Sequence, residues 1–212
     1  MHDQARSLSA INNAARGILD GSADPKATAS EIETISRCET KKIDSYMLLA
    51  KDFAGYDEAS AEDVNLSAAV CRIAADMKMR EKNVEIQCSV PKDDIIIRAH
   101  PALVAELVGN LVENAVKYAD GGTVSLSLAV RGRHVVLTVS DTGRGIPKRA
   151  QKHVFERFYR ADNVSGVPGT GLGLATVHEL VTRHYHGSVK LKSKLGKGTT
   201  ITVTLPHSCG AH

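Results

Sequence analysis

Apolar positions in the first 55 residues recur with helical spacing. Leu8, Ile11, Ala15 and Ile18 step by three and four residues, a narrow stripe of the coiled-coil kind. Gly21 stands where that helix would stop, and Asp24-Pro25 supplies an N-cap followed by a proline at the first helical position. Ile32, Ile35, Ile43, Tyr46, Ala50 and Phe53 mark a second helix, whose stripe is interrupted by Glu39 and Lys42. Two such helices bury little surface alone, so the pattern predicts a helical hairpin that dimerises into a four-helix bundle. The alternative is an arm packed on the rest of the chain.

Beyond a polar, alanine-rich linker from Gly55 to Asp63, the period changes repeatedly. Leu66 to about Lys82 is helical, Val84 to Val90 alternates like a strand, and Ile95-Ile96-Ile97 reads as a short buried strand. Pro101 opens a helix that runs to about Tyr118. Thr123 to Val130 and His134 to Ser140 form one hairpin through Arg131-Gly132-Arg133, entered by the turn Asp120-Gly121-Gly122. Leu172 to Tyr185 is helical, and Ser188 to Lys194 and Thr199 to Leu205 form a second hairpin. The fold class is α+β: a helical hairpin over residues 1–55, then an α/β sandwich over residues 62–207, with one mixed sheet covered on one face by helices.

Composition adds mainly exclusions. With 27 basic and 24 acidic residues in 212, the net charge of +3 is too small and dispersed to argue for nucleic acid. No apolar run reaches the roughly 18 residues of a membrane span, and the start lacks an apolar signal region, so a cytoplasmic location is expected. The four cysteines, Cys38, Cys71, Cys88 and Cys209, form no C-x-x-C pair and read as reduced thiols. His184 and His186, at an apparent helix end, read as favourable charges near a helix C-terminus rather than metal ligands.

Four short stretches carry chemistry. On the helix from Pro101, Asn110, Asn114 and Lys117 share one face, while Leu103, Leu107, Leu111 and Ala115 occupy the adjoining one. Two amides and an ammonium in a row suit phosphate oxygens and a magnesium ion, which keeps several waters and can take a single Asn carbonyl as ligand. A solvated helix face is the plain alternative. Asp141-Thr142-Gly143-Arg144-Gly145-Ile146-Pro147 follows a strand: its aspartate can accept from an exocyclic amine, and its glycines admit a flat ring. The same stretch is also good turn chemistry. Gly169-Thr170-Gly171-Leu172-Gly173-Leu174 feeds a helix N-terminus, an anion site that is neither a dinucleotide fingerprint nor a P-loop. Between them, Phe155-Glu156-Arg157-Phe158-Tyr159-Arg160 reads as the hinge of a lid, or as a core aromatic pair.

The order and spacing of these boxes resemble the ATP-binding half of sensor histidine kinases, in the superfamily that also holds DNA gyrase and the ninety-kilodalton heat-shock chaperone. Asn110 to Tyr118 matches the N box, Asp141 to Pro147 the G1 box, Phe155 to Arg160 the F box and Gly169 to Leu174 the G2 box. The resemblance spans about Leu66 to Pro206. It implies that Asp141 binds the adenine amine and that Asn114 ligates Mg2+, with Asn110 close by. Lys117 and Arg160 would face the phosphates of ATP, and Tyr118 and Ile146 would line the base pocket. The loop of Gly143 and Gly145 would admit the ring, and Gly169, Thr170, Gly171, Leu172 and Gly173 would close on the triphosphate. Relatives that hydrolyse ATP carry a glutamate at the place of Asn110; an asparagine cannot take a proton, which favours transfer to a protein acceptor.

For that acceptor, His2-Asp3-Gln4-Ala5-Arg6-Ser7-Leu8-Ser9-Ala10-Ile11 resembles the phosphoacceptor box that opens the family's dimerisation helix. The resemblance makes His2 the nucleophile, with Asp3 accepting the proton on one ring nitrogen. The family's polar residue four places after the histidine is Arg6 here, and its following proline is Ser7. That removes the group the resemblance would use to position water for dephosphorylation. The implied partners are a second copy of the chain and the receiver domain of a response regulator, and the implied input comes from outside the chain. Two other readings stay open: a regulator-binding ATP module without autokinase activity, and an ATPase of the gyrase type.

Overall fold

The computed structural model describes residues 2–50, 60–164, 167 and 169–207, and side chains from Leu8 onward apart from 37–39, 41–50 and Val164. His2, Asp3, Cys38, Tyr46, Phe53 and Cys209 therefore have side chains outside the described residues. The chain divides into two compact units, Met1–Asp52 and Phe53–His212.

The first unit is a hairpin of helix α1 (His2–Leu19) and helix α2 (Pro25–Ala50). Between them Gly21 takes a φ of 74°, the left-handed region open to glycine. Asp24 caps α2, its carboxylate accepting from the Ala27 N–H at 2.9 Å, directly before Pro25. Ile11, Ile18, Ile32 and Ile35 are only half-buried, while Leu8 and Leu19 are 62% and 86% exposed. A single hairpin thus leaves its apolar stripe incompletely covered.

The first strand of the second unit among the described residues is β1 (Glu62–Asn65), whose first two residues fall in the stretch read as a linker, Gly55 to Asp63. It pairs antiparallel with β3 (Ile96–Ala99), Glu62 opposite Ala99 and Asn65 opposite Ile96. Nothing in Glu62-Asp63-Val64-Asn65 alternates; pairing with a distant segment makes it a strand. The triple-isoleucine run also differs from a wholly buried strand: Ile95 and Ile97 are buried, but Ile96 points outward at 42% exposure.

Asn65 ends β1 and caps helix α3 (Leu66–Arg80), accepting from the Ala68 N–H at 2.9 Å. Strand β2 (Glu85–Ser89), helix α4 (Pro101–Tyr118), and strands β4 (Thr123–Arg131) and β5 (His134–Asp141) follow. Then come helix α5 (Gly173–Glu179) and strands β6 (Ser188–Lys194) and β7 (Gly198–Pro206). The five-stranded sheet has the order β2-β4-β5-β7-β6, with β2 parallel to β4 and every other pair antiparallel.

Strict alternation decides the layering. Val124, Leu126 and Leu128 of β4, Val135, Leu137 and Val139 of β5, and Ile201, Val203 and Leu205 of β7 are buried. The residues between them are largely serine and threonine. Register stacks the apolar set, with Leu126 opposite Val139 and Leu137 opposite Val203. Helices cover that face with Val70, Ala74 and Met77 from α3, Leu103, Leu107 and Leu111 from α4, and Ala175 and Val177 from α5. Helix, sheet and polar outer face make a two-layer α/β sandwich.

The last helix is not uniform. After α5 the chain widens into a π-helical turn, Leu180–His184, in which the Tyr185 N–H donates to the Leu180 carbonyl at 2.9 Å. Burial and the neighbouring His100 lower the pKa of His184, so its imidazole is held toward neutrality.

Candidate nucleotide site

One wall of the site is helix α4. Its apolar row packs on the sheet, which fixes the direction of the row beside it. Asn110, Asn114 and Lys117 are half-buried, and the row begins one turn earlier than the boxes suggest, at Glu106. The Asn110 amide donates to the Glu106 carboxylate at 2.9 Å and to the Glu106 carbonyl at 3.0 Å. With its nitrogen so engaged, the Asn110 Oδ1 lies 3.0 Å from where a Cβ on Gly173 would stand, and Asn114 Nδ2 lies 3.1 Å from it. The Asn114 side-chain amide has no hydrogen-bond partner among the described residues. A half-buried amide in that position fits an oxygen-seeking ligand, and a hard cation such as Mg2+ takes neutral oxygen donors of this kind. The Lys117 ammonium sits 5.1 Å from the Tyr118 ring centroid, and a Cβ on Gly169 would run into it.

The floor is the end of β5. Asp141 is 8% exposed, and its Oδ1 accepts from the Gly143 N–H at 2.9 Å and the Thr199 N–H at 3.3 Å. Oδ2 has no protein donor among the described residues. Burial raises the Asp141 pKa, and the two backbone donors pull it back down only in part. Burial likewise pushes up the Tyr118 hydroxyl, opposed by the charges of Arg160 and Arg144. Gly143 is required by contact: a Cβ there would overlap the Tyr118 carbonyl oxygen.

The loop after Asp141 is held to both neighbours. The Ile146 N–H donates to the Ser193 hydroxyl at 2.8 Å, and Gln151 donates to the carbonyls of Ile146 and Ser193, each at 2.9 Å. Arg144 pairs with Asp120, Nε to Oδ2 at 3.0 Å, and donates to the Asn163 carbonyl at 3.3 Å. Asn163 in turn donates to the Gly145 carbonyl at 2.9 Å. Asn163, Ser193 and Thr199 lie outside the four boxes, and Arg144, inside one of them, is given no role by the resemblance. Thr199 and the loop contribute backbone amides, which leave no side-chain signature.

The two phenylalanines of the aromatic stretch have different surroundings and do not form a core pair. Phe155 lies against the His178 ring at 5.4 Å between centroids. Phe158 is 59% exposed at a φ of 65°, its N–H donating to the Gly171 carbonyl at 3.0 Å. Arg157 pairs with Glu179 at 2.9 Å, tying this stretch to α5. Arg160 turns its guanidinium onto the carbonyls of Val167 and of Gly169, the latter at 3.0 Å. The Leu172 N–H donates to the Thr170 hydroxyl at 3.3 Å, and Leu172 itself is buried. Thus the structure gathers Asn110, Asn114, Lys117 and Gly169 to Gly173 at one end of α4. Tyr118, Asp141, Gly143, Gly145 and Ile146 stand at the sheet end beside it.

A sequence profile described as "Histidine kinase-, DNA gyrase B-, and HSP90-like ATPase" matches residues 99–208, about half of the chain. The chain belongs to this ATPase family. Among its relatives, the sensor histidine kinase WalK of Bacillus subtilis is 29% identical over 97% of this chain and 35% of WalK. The structure of the mycobacterial sensor histidine kinase MprB has a TM-score of 0.62 at 28% identity, covering 68% of this chain and 97% of that one. Full-length ShkA in complex with AMPPNP has a TM-score of 0.72 at 26% identity, covering 88% of this chain and 39% of ShkA. The chain therefore spans about a third of the length of WalK. Among its described residues, no helix is long and apolar enough to cross a membrane.

Proposed function

We propose that the chain is the core of an ATP-dependent histidine kinase. In this reading residues 1–55 form the dimerisation and phosphoacceptor hairpin and residues 62–207 the ATP-binding domain. The observation that carries it is the meeting of the Asn110–Asn114 face of α4 with Gly173, beside a buried Asp141. Asp141 accepts the adenine amine, and the loop through Gly143, Gly145 and Ile146 takes the ring against Tyr118. Lys117 and the G2 backbone hold phosphate oxygens, and Arg160 acts at the lid. Asn114 is the protein ligand of Mg2+, with Asn110 beside it. When bound, that ion would neutralise charge on the triphosphate.

The transfer makes a bond from the γ-phosphorus to a ring nitrogen of His2 and breaks the bond to the β–γ bridging oxygen. ADP leaves, and the imidazole gives up its proton, with Asp3 orienting the ring. Asn110 has no proton to take from water, which favours the histidine over hydrolysis. The half-buried stripe of the hairpin supports a homodimer, and the receiver aspartate of a response regulator is the onward acceptor. A cytoplasmic location suits both substrates.

Incubation of the full chain with γ-labelled ATP tests this. Acid-labile, alkali-stable label that is lost in His2→Gln is the expected result. ATP binding with no label on the protein would overturn the autokinase reading, leaving the binding-module alternative that Arg6 and Ser7 motivate.

A further inference from the structure

Two thiols on different elements of the second unit face one another. Cys71 on α3 and Cys88 on β2 place their sulfurs 3.8 Å apart, and both residues are exposed. The fold makes the contact in a simple way. Ile86 of β2 is buried toward the helices, and side chains on a strand alternate, so Cys88 shares that inward face. In register it stands opposite Leu126 of β4, which is also inward and buried. Strand β2 is the edge of the five-stranded sheet, so Cys88 meets the rim of α3 rather than its centre. Cys71 follows Val70, which is fully buried, and sits at that rim. The nucleotide site uses neither residue.

We propose that Cys71 and Cys88 form an oxidative modification site that closes to an intramolecular disulfide with a hydroperoxide as oxidant. Bonding requires the sulfurs to approach from 3.8 Å to about 2 Å. Burial and the neighbouring Cys71 push the Cys88 thiol up to about 11, so Cys88 holds little thiolate at neutral pH. Either sulfur can be the one oxidised first; with Cys71 first, Cys88 resolves it. The Cys71 sulfur attacks the peroxide O–O bond, giving a sulfenic acid and one water. The Cys88 sulfur then attacks that sulfur, the S–S bond forms, the S–O bond breaks and the second water leaves. Overall the two thiols lose two electrons and two protons, and one hydrogen peroxide becomes two waters. A dithiol reductant reverses the bond by exchange.

The bridge would staple the sheet's edge strand to its covering helix. It constrains the unfolded chain between the two positions, which raises the melting temperature of the oxidised protein by roughly 6–12 °C.

The test uses the full chain carrying Cys38→Ser and Cys209→Ser, treated with hydrogen peroxide and read by intact mass and non-reducing peptide mapping. Expected are a loss of two hydrogens, a cross-linked peptide pair holding Cys71 and Cys88, and a rate independent of protein concentration. The melting temperature should rise, and dithiothreitol should restore both thiols. In Cys88→Ser, Cys71 should stop at a sulfenic acid that dimedone captures. Oxygen gained at each sulfur without a cross-link, or disulfides only between chains, would overturn the proposal.

Discussion

Replacing Asp141 with asparagine separates recognition from stability. In the wild type, Oδ1 accepts from the Gly143 and Thr199 backbone N–H groups, and Oδ2 has no protein donor among the described residues. Asparagine keeps an oxygen that can accept from both amides, so those bonds orient the new side chain. Its NH2 group then stands where Oδ2 stood. An incoming adenine amine, which needs an acceptor, meets a donor. A hydrogen bond to a charged partner contributes about 1.5–3 kcal/mol, so ATP affinity should fall by roughly 10–150-fold. Guanine carries a carbonyl where adenine carries that amine, so GTP should lose less and the preference for ATP should narrow.

Stability should move the other way. Burial dominates the raised pKa of Asp141, so folding disfavours its charged form. A group with a raised folded-state pKa contributes stability below its unfolded value of 3.8, and that contribution is lost as pH rises through the folded-state value. The neutral amide that replaces the carboxylate has no such loss. The Asp141→Asn variant should therefore gain on the wild type as pH increases above about 4 and keep the gain at neutrality. Calorimetric titration with non-hydrolysable ATP and GTP analogues, and urea melts from pH 4 to pH 8, read the two effects. ATP affinity within twofold of wild type in a folded variant would refute the recognition argument. A variant less stable than wild type at pH 7.5 would refute the electrostatic one.

Gly173→Ala places a methyl group 3.0–3.1 Å from the Asn110 and Asn114 amides. It should weaken binding of the non-hydrolysable ATP analogue about tenfold or more while moving the melting temperature little, read by titration and thermal unfolding. Glu106→Ala frees the Asn110 amide to turn. It should weaken the analogue by about 5–10-fold, the worth of one hydrogen bond, with Glu106→Gln retaining most of the affinity because it keeps the acceptor. Thr176 is fully buried, and its hydroxyl has no hydrogen-bond partner among the described residues. Thr176→Val should raise stability by about 1 kcal/mol in urea melts with unchanged analogue binding.

The boxes were legible because each depends on side chains or glycines close in sequence. Asn110, Asn114 and Lys117 declare themselves by helical spacing, and the end of β5 by alternation up to Asp141. The hairpin of β6 and β7 was equally readable from its period of two. What escaped depends on distance or on backbone. β1 exists through pairing with the distant β3, and its four residues show no alternation. The π-helical turn keeps Leu180 and Val181 buried by widening a helix whose apolar spacing looked regular. Thr199 serves Asp141 through its N–H, which any residue but proline could supply. Glu106 was within reach, since it continues the i, i+4 row by one turn, but a carboxylate beside two amides signals nothing until its partner is seen.

These differences also divide the site into a fixed part and an adjustable one. Asn110, Asn114 and Asp141 stand on α4 and β5, elements whose apolar sides are locked in the core, so their positions are set by the same packing that stabilises the domain. The glycine loop from Gly169 to Gly173 is locked only at its end, where Leu172 is buried; Gly169 to Gly171 have no such lock. Among the described residues the loop is tied by Arg160 to its own carbonyls, by Phe158 to Gly171 and by Thr170 to Leu172, contacts that are mostly exposed. Substitutions in the wall should therefore change stability and binding together, whereas substitutions in the loop should change binding alone. Elements that must admit and release a nucleotide are drawn from the weakly held end of a fold. Here that end begins after Phe158, where a non-glycine residue at positive φ already gives up backbone comfort to reach the loop.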